Sequence, residues 1–185
     1  TTGEAKVTKD DSVDVVLSDE YTKIPETGTL VLKKSVGGDV TQEELENAAI
    51  TFEVTTKVTV DGEEVTKWLK ADGTLSDDEV LITLGTADGF TTEDEGKNWT
   101  KTFENVPVGS YAIKEKNSKV EGYEFNKEAS NTTGEATITK DDSIDVELSD
   151  EYTKLPETGT LVLKKSVCGD VTQEELEEAA ITFES

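Results

Sequence analysis

The stretch Ser143-Ile-Asp-Val-Glu-Leu-Ser-Asp150-Glu-Tyr152 alternates apolar and polar residues from Ile144 to Leu148. Successive side chains of a strand point to opposite faces, so Ile144, Val146 and Leu148 share one face and Asp145 and Glu147 the other. One more step in the apolar phase lands on Asp150. The same accident recurs on two other stretches. Tyr111 and Ile113 share a face that runs on to Glu115, and Leu30 and Leu32 share one that runs on to Lys34. The phase of that first stretch is less clean, because Val31 interrupts the alternation and Lys33 adjoins Lys34. Two readings are open. The three charged groups sit at strand ends and reach water along their stems, or they meet inside, since an unpaired buried charge is costly.

Strand signals cover Thr29–Lys34, Ile50–Val60 with a turn at Asp61-Gly62, Glu79–Leu84, Trp99–Phe103, Ser110–Glu115, Glu135–Thr139 and Ser143–Leu148. One helix signal stands among them. Thr41-Gln-Glu-Glu44 has the form of a capping box, and Leu45, Ala48 and Ala49 follow at helical spacing. Many short strands separated by Gly and Asp turns predict an all-β sandwich with one short helix.

The chain also repeats itself. TTGEAKVTKDDSVDVVLSDEYTKIPETGTLVLKKSVGGDVTQEELENAAITFE, from Thr1, recurs almost unchanged from Thr132, so Gly28 corresponds to Gly159 and Lys34 to Lys165. Self-similarity of this kind marks a tandem array. Ile24-Pro-Glu-Thr-Gly28 and Leu155-Pro-Glu-Thr-Gly159 punctuate it as linkers. Residues 1–23 then read as the closing strands of one repeat, 24–154 as a complete repeat, and 155–185 as the start of another. Neither flank has enough chain to bury a core, so each is expected to fray or to pair with a strand in trans.

Composition bounds the function. The chain has 42 acidic residues against 18 Lys plus Arg, no His, and a net charge of −24. A phosphate backbone needs clustered Lys and Arg, so nucleic acid is excluded as a partner, and an anionic membrane surface is disfavoured. No apolar run approaches the roughly 20 residues of a membrane helix. High charge of one sign suits a soluble extracellular protein. The single cysteine, Cys168, excludes an intramolecular disulfide, so a secreted chain must be stabilised in another way.

The run Phe103-Glu-Asn-Val-Pro107-Val-Gly109-Ser-Tyr111-Ala-Ile113-Lys-Glu115, followed by Gly122-Tyr123, resembles the signature of collagen-adhesin B-type (Cna-B) domains, repeat modules of Gram-positive adhesins and pilins. Gly28-Thr-Leu-Val-Leu-Lys-Lys34 and Leu148-Ser-Asp150-Glu-Tyr152 fall where that family places its first and last strands. The resemblance covers residues 28–154, apart from a long middle around 55–100. It implies an Ig-like Greek-key β-sandwich and an intramolecular isopeptide bond between Lys34 and Asp150, assisted by Glu115. Asp stands where many members have Asn, so water would leave rather than ammonia. Lys attacks only as the free amine, and an apolar interior disfavours both its cation and the Asp150 carboxylate. A protonated Glu115 can polarise the carbonyl and shuttle the proton. The equivalents Asp19 and Lys165 lack a matching Glu within the chain. Such a reaction happens once per molecule, so no enzyme turnover is expected.

Other motifs weigh less. Leu155–Gly159 matches a sortase sorting signal, yet it precedes strand sequence rather than an apolar helix and basic tail. No Tyr-Pro-Lys-like polymerisation motif is present, which disfavours a backbone pilin. Asp77-Asp78-Glu79 and Glu93-Asp94-Glu95 lack the spacing of a calcium loop and read as solvated turns, and no cofactor or metal site is expected. Asn98-Trp-Thr100 fits a glycosylation sequon, and Cys168 replaces the Gly37 of the other copy. The sequence therefore predicts a cell-wall-anchored extracellular stalk whose partners are neighbouring repeats. The alternatives are a pilin subunit, or an adhesive module that binds a host protein or glycan through Trp68, Phe90 and Trp99.

Overall fold

The computed structural model describes residues 2–10, 12–21 and 23–179. Among them, eleven strands run in chain order: β1 (Thr27–Gly37), β2 (Thr51–Val60), β3 (Glu63–Leu69), β4 (Leu75–Ser76), β5 (Ile82–Thr83), β6 (Thr91–Glu93), β7 (Asn98–Pro107), β8 (Gly109–Asn117), β9 (Tyr123–Phe125), β10 (Thr133–Ile138) and β11 (Ser143–Lys154). They form two sheets. One has the order β6-β7-β1-β11-β9, the other β10-β8-β2-β3-β4 with β5 against β2. The first and last strands are parallel neighbours, with Leu32 opposite Val146 and Lys34 opposite Leu148. β7 flanks β1 on its other side, antiparallel.

The two inner faces make one core. Leu30 and Leu32 of β1, Phe52 and Val54 of β2, and Ile113 of β8 are all at most 1% exposed. The alternation read from sequence holds: every second residue is buried from Gly28 to Val36, from Tyr111 to Glu115 and from Val146 to Tyr152, and Ile144 in the same phase is half-buried. Val31 lies on the outer face of β1 and is half-buried, which explains its apolar character without disturbing the phase. The fold is thus the expected β-sandwich.

Several elements differ from expectation. The strand foreseen at Glu79–Leu84 shrinks to β5, because β2 offers that edge only at Thr51 and Phe52 before β3 pairs from Thr55 onward. β3 itself completes a hairpin through Asp61-Gly62, where both residues take positive φ as a tight hairpin turn requires. The helix α1 (Gln42–Ala48) has the foreseen reciprocal cap between Thr41 and Glu44, and it buries Leu45. Ala49 does not join its apolar face. It takes a left-handed conformation that ends the helix, and Asn117 Nδ2 donates to the freed carbonyls of Ala48 and Ala49. Nor is all of Ile24–Gly28 linker, since Thr27 and Gly28 already pair with β7.

Residues 2–10, 12–21 and 23–26 are exposed and carry no strand or helix. Gly3 still packs on Val15 and Leu17, as its counterpart Gly134 packs on Val146 and Leu148. The chain from Pro156 onward forms a separate unit. Its described part contains one short helix, α2 (Gln173–Glu178), with the same reciprocal cap between Thr172 and Glu175. Residues 159–167 repeat the β1 sequence but carry no strand. The C-terminal residues 180–185 of that expected partial repeat lie outside the described residues. No helix among the described residues is long and apolar enough to cross a membrane.

Identical sequence in two settings gives a direct test. Leu30 is 0% exposed and its copy Leu161 is 91% exposed. Leu30→Ala should cost about 2–5 kcal/mol, and Leu161→Ala less than about 0.5 kcal/mol. Urea denaturation of the two variants measures both, and equal shifts would contradict the assignment of the core to the first copy.

Candidate crosslinking site

Lys34 lies on the inner face of β1, in phase with Leu30 and Leu32. Asp150 lies on the inner face of β11, two residues beyond the partner of Lys34. Glu115 comes from the opposite sheet, on β8, where it stands across from Phe52. Strand phase and register therefore aim three charged side chains from three strands at one point. Lys34 Nζ is 2.5 Å from Glu115 Oε2 and 2.5 Å from Asp150 Oδ1, and the three side chains are 0%, 1% and 0% exposed. They do not reach water at strand ends. Lys33, by contrast, points outward and pairs with Asp145.

The surroundings are apolar and aromatic. The Phe52 ring centroid is 6.0 Å from Lys34 Nζ, and Phe52 contacts Phe90 at 5.8 Å between ring centroids. Within the site, Glu115 Oε1 and Asp150 Oδ1 are buried and make no hydrogen bond among the described residues. Burial pushes the Glu115 carboxyl up to about 7; Lys34 opposes the rise and the Asp150 charge adds to it. The Tyr152 hydroxyl, which sits against Asp150, is raised far above the usual phenol range, first by burial and then by that neighbour. Two carboxyls and one amine in contact can persist as a buried ion pair with one carboxyl neutral, or the amine can condense with a carboxyl.

Sequence reasoning did not single out Tyr152. It is 2% exposed, and its hydroxyl lies 3.0 Å from Asp150 Oδ2 and 2.8 Å from the Ser118 carbonyl. Its position one step further along the inner phase of β11 was the available signal. Of the other candidates, Asp19 and Lys165 are exposed and lie on stretches without strand structure. The alternative reading of an aromatic binding surface in the long middle finds no exposed cluster of Trp68, Phe90 and Trp99. Phe90 and Trp99 are 2% and 1% exposed and belong to the core, and half-buried Trp68 donates from Nε1 to Glu53. Asp77 pairs with Lys67 and Glu79 with Lys116, and the described residues contain no cluster of acidic or thiol groups that would hold a metal.

No protein-family model and no curated protein matches the chain. Among solved structures it is similar to GBS52, the minor pilin of Streptococcus agalactiae, at 19% identity and TM-score 0.42 over 75% of this chain and 50% of that one. It is also similar to the pilus-presented adhesin Spy0125, at 25% identity and TM-score 0.34 over 72% of this chain and 28% of that one. A third is the major pilin SpaD from Corynebacterium diphtheriae, at 16% identity and TM-score 0.36 over 68% and 30%. The chain spans half or less of the length of each.

The raised Glu115 carboxyl makes stability depend on pH in a defined direction when no crosslink can form. A group held protonated by the fold contributes fully below its unfolded value, 4.5, and that contribution is lost as pH rises through about 7. Lys34→Met removes the amine and with it the cation that restrains Glu115. Its urea midpoint should fall between pH 4.5 and 7.5 more than that of Lys34→Met combined with Glu115→Gln, which has no titrating group at that position. Parallel pH profiles would refute the burial effect.

Proposed function

We propose that the chain is a stalk segment of a Gram-positive surface fibre or adhesin, with its complete repeat self-crosslinked by an isopeptide bond from Lys34 to Asp150. The observation that carries this reading is the fully buried contact of Lys34 with Glu115 and Asp150 between the first and last strands. Glu115 is the proton carrier: it accepts a proton from Nζ and, as the neutral acid, polarises the Asp150 carbonyl. The amine adds to Cγ, water leaves, and an amide joins β1 to β11.

The topology supports a mechanical role. β1 and β11 are parallel neighbours at the two ends of the folded repeat. Tension applied through Pro25 and Pro156 pulls them in opposite directions along their shared ladder. A bond from Lys34 to Asp150 carries that load directly and leaves the chain between them unstretched. It closes a loop of more than 100 residues, worth roughly 4–5 kcal/mol by analogy with disulfide entropy. Such a tie would supply the covalent stabilisation that a chain with one cysteine cannot obtain from a disulfide. Near-identical repeats favour a spacer, because length tolerates copying. Neighbouring repeats are the partners this reading names, and the place of action is the outer face of the cell wall.

Intact mass is the decisive measurement. The wild-type chain should be lighter than its sequence mass by one water, and Lys34→Ala, Asp150→Ala and Glu115→Ala should restore the full mass. Glu115→Gln should slow the reaction by about 100- to 10,000-fold. An unshifted wild-type mass would sink the crosslink. Pulled by its ends, the crosslinked repeat should release none of the chain between Lys34 and Asp150, whereas Glu115→Ala should release roughly 40 nm of contour.

A further inference from the structure

The hydroxyl of Tyr152 has one proton and two oxygen neighbours. One is the backbone carbonyl of Ser118 at 2.8 Å, which can only accept; the other is Asp150 Oδ2 at 3.0 Å. Were Asp150 ionised, both neighbours would be acceptors, and a single proton would have to serve two oxygens, that of Asp150 fully buried and that of Ser118 partly so. Leaving a buried acceptor unsatisfied is costly. With a proton on Oδ2 the conflict disappears: Tyr152 donates to Ser118 and accepts from Asp150. The other oxygen, Oδ1, faces Lys34 Nζ at 2.5 Å and makes no hydrogen bond. We propose that Tyr152 sorts the two oxygens of Asp150, holding Oδ2 as the protonated leaving hydroxyl and turning Oδ1 toward Lys34 and Glu115 as the oxygen kept in the amide. This rests on the crosslink reading above and assigns that reaction a fourth residue.

The step balances as follows. The Nζ lone pair attacks Cγ, a C–N bond forms, and the Cγ–Oδ2 bond breaks. Oδ2 departs with its own hydrogen and the one proton that Nζ sheds as the amide forms, so one water leaves and Glu115 ends as it began. The groups that face Asp150 are Lys34 from β1, Glu115 from β8 and Tyr152 on its own strand. The ring of Tyr152 is held by Phe125 at 5.6 Å and Tyr123 at 6.5 Å between centroids, contacts that phenylalanine would keep.

The test uses the full chain purified in urea, folded by dilution, and sampled for intact mass over time. Tyr152→Phe should reach the wild-type strand content by circular dichroism and lose water about 10- to 100-fold more slowly. Asp150→Asn supplies a second arm that retains Tyr152. With Tyr152 as acceptor, the amide nitrogen takes the place of Oδ2, the amide oxygen faces Lys34, and the chain crosslinks with loss of ammonia. Were Tyr152 instead the donor to Asp150, the amide would turn its nitrogen against Lys34 and the mass would stay whole. Wild-type kinetics in folded Tyr152→Phe, or a full mass in Asp150→Asn, overturns the assignment of Tyr152 while the wild type still loses water. If Tyr152→Phe fails to fold, the asparagine arm decides alone. A wild type that loses no water overturns the crosslink itself.

Discussion

One cation between two carboxyls, sealed in a hydrocarbon core, is the constraint on which this sandwich depends. Lys34 cannot be removed without leaving Glu115 and Asp150 buried together, and neither acid can be removed without unbalancing the lysine. Desolvation of such groups costs several kcal/mol each, and breaking one partner out of a buried set is more damaging than replacing the set. The surrounding Phe52, Leu32 and Ile113 make the site dry and so amplify each electrostatic interaction within it. Condensation of the amine with Asp150 would replace two ionisable groups by one neutral amide. The site is thus costly to bury as ions and inexpensive to bury as an amide, which gives the proposed bond a thermodynamic reason in addition to a mechanical one.

The sheet order makes that bond consequential. β1 is central in its sheet, between β7 and β11, and β11 is the last strand of the repeat. Were the repeat pulled through its first and last strands, these parallel neighbours would be loaded in shear, and many ladder hydrogen bonds would resist together. Glu115 arrives from the other sheet, so the site also depends on the two layers being packed in the correct phase. A one-residue slip of β8 would send Glu115 to solvent and bring Lys114 or Lys116 inward.

The two copies of the repeat separate what local sequence can do from what it cannot. Thr41–Glu44 and Thr172–Glu175 form the same reciprocal cap, and both start a helix. Residues 28–36 and 159–167 are identical, yet only the first set is a strand. A helix satisfies its hydrogen bonds within itself, so the signal works wherever it occurs. A strand needs a neighbour, and β1 has β7 on one side and β11 on the other. The short edge strands fall under the same rule: β5 is cut down by competition for the edge of β2, a contest that no reading of Glu79–Leu84 alone reveals.

Local pattern alone carries the sandwich, the inner phase of β1, β8 and β11, and the three charged residues that fall in that phase. A period of two is a local property of the chain, and it survives folding. Sequence left open whether the charges meet, because distance between strands is set by register and sheet packing. Sheet packing brings Lys34 to 2.5 Å from each of the two carboxyls, buries Phe90 and Trp99, which the alternative adhesive reading would have exposed, and puts the Tyr152 hydroxyl between Asp150 and the Ser118 carbonyl. Ser118 is 34 residues from Tyr152 in the chain. Only the closing of the two sheets brings that carbonyl to the hydroxyl, and only then does the choice between the two oxygens of Asp150 have a physical basis.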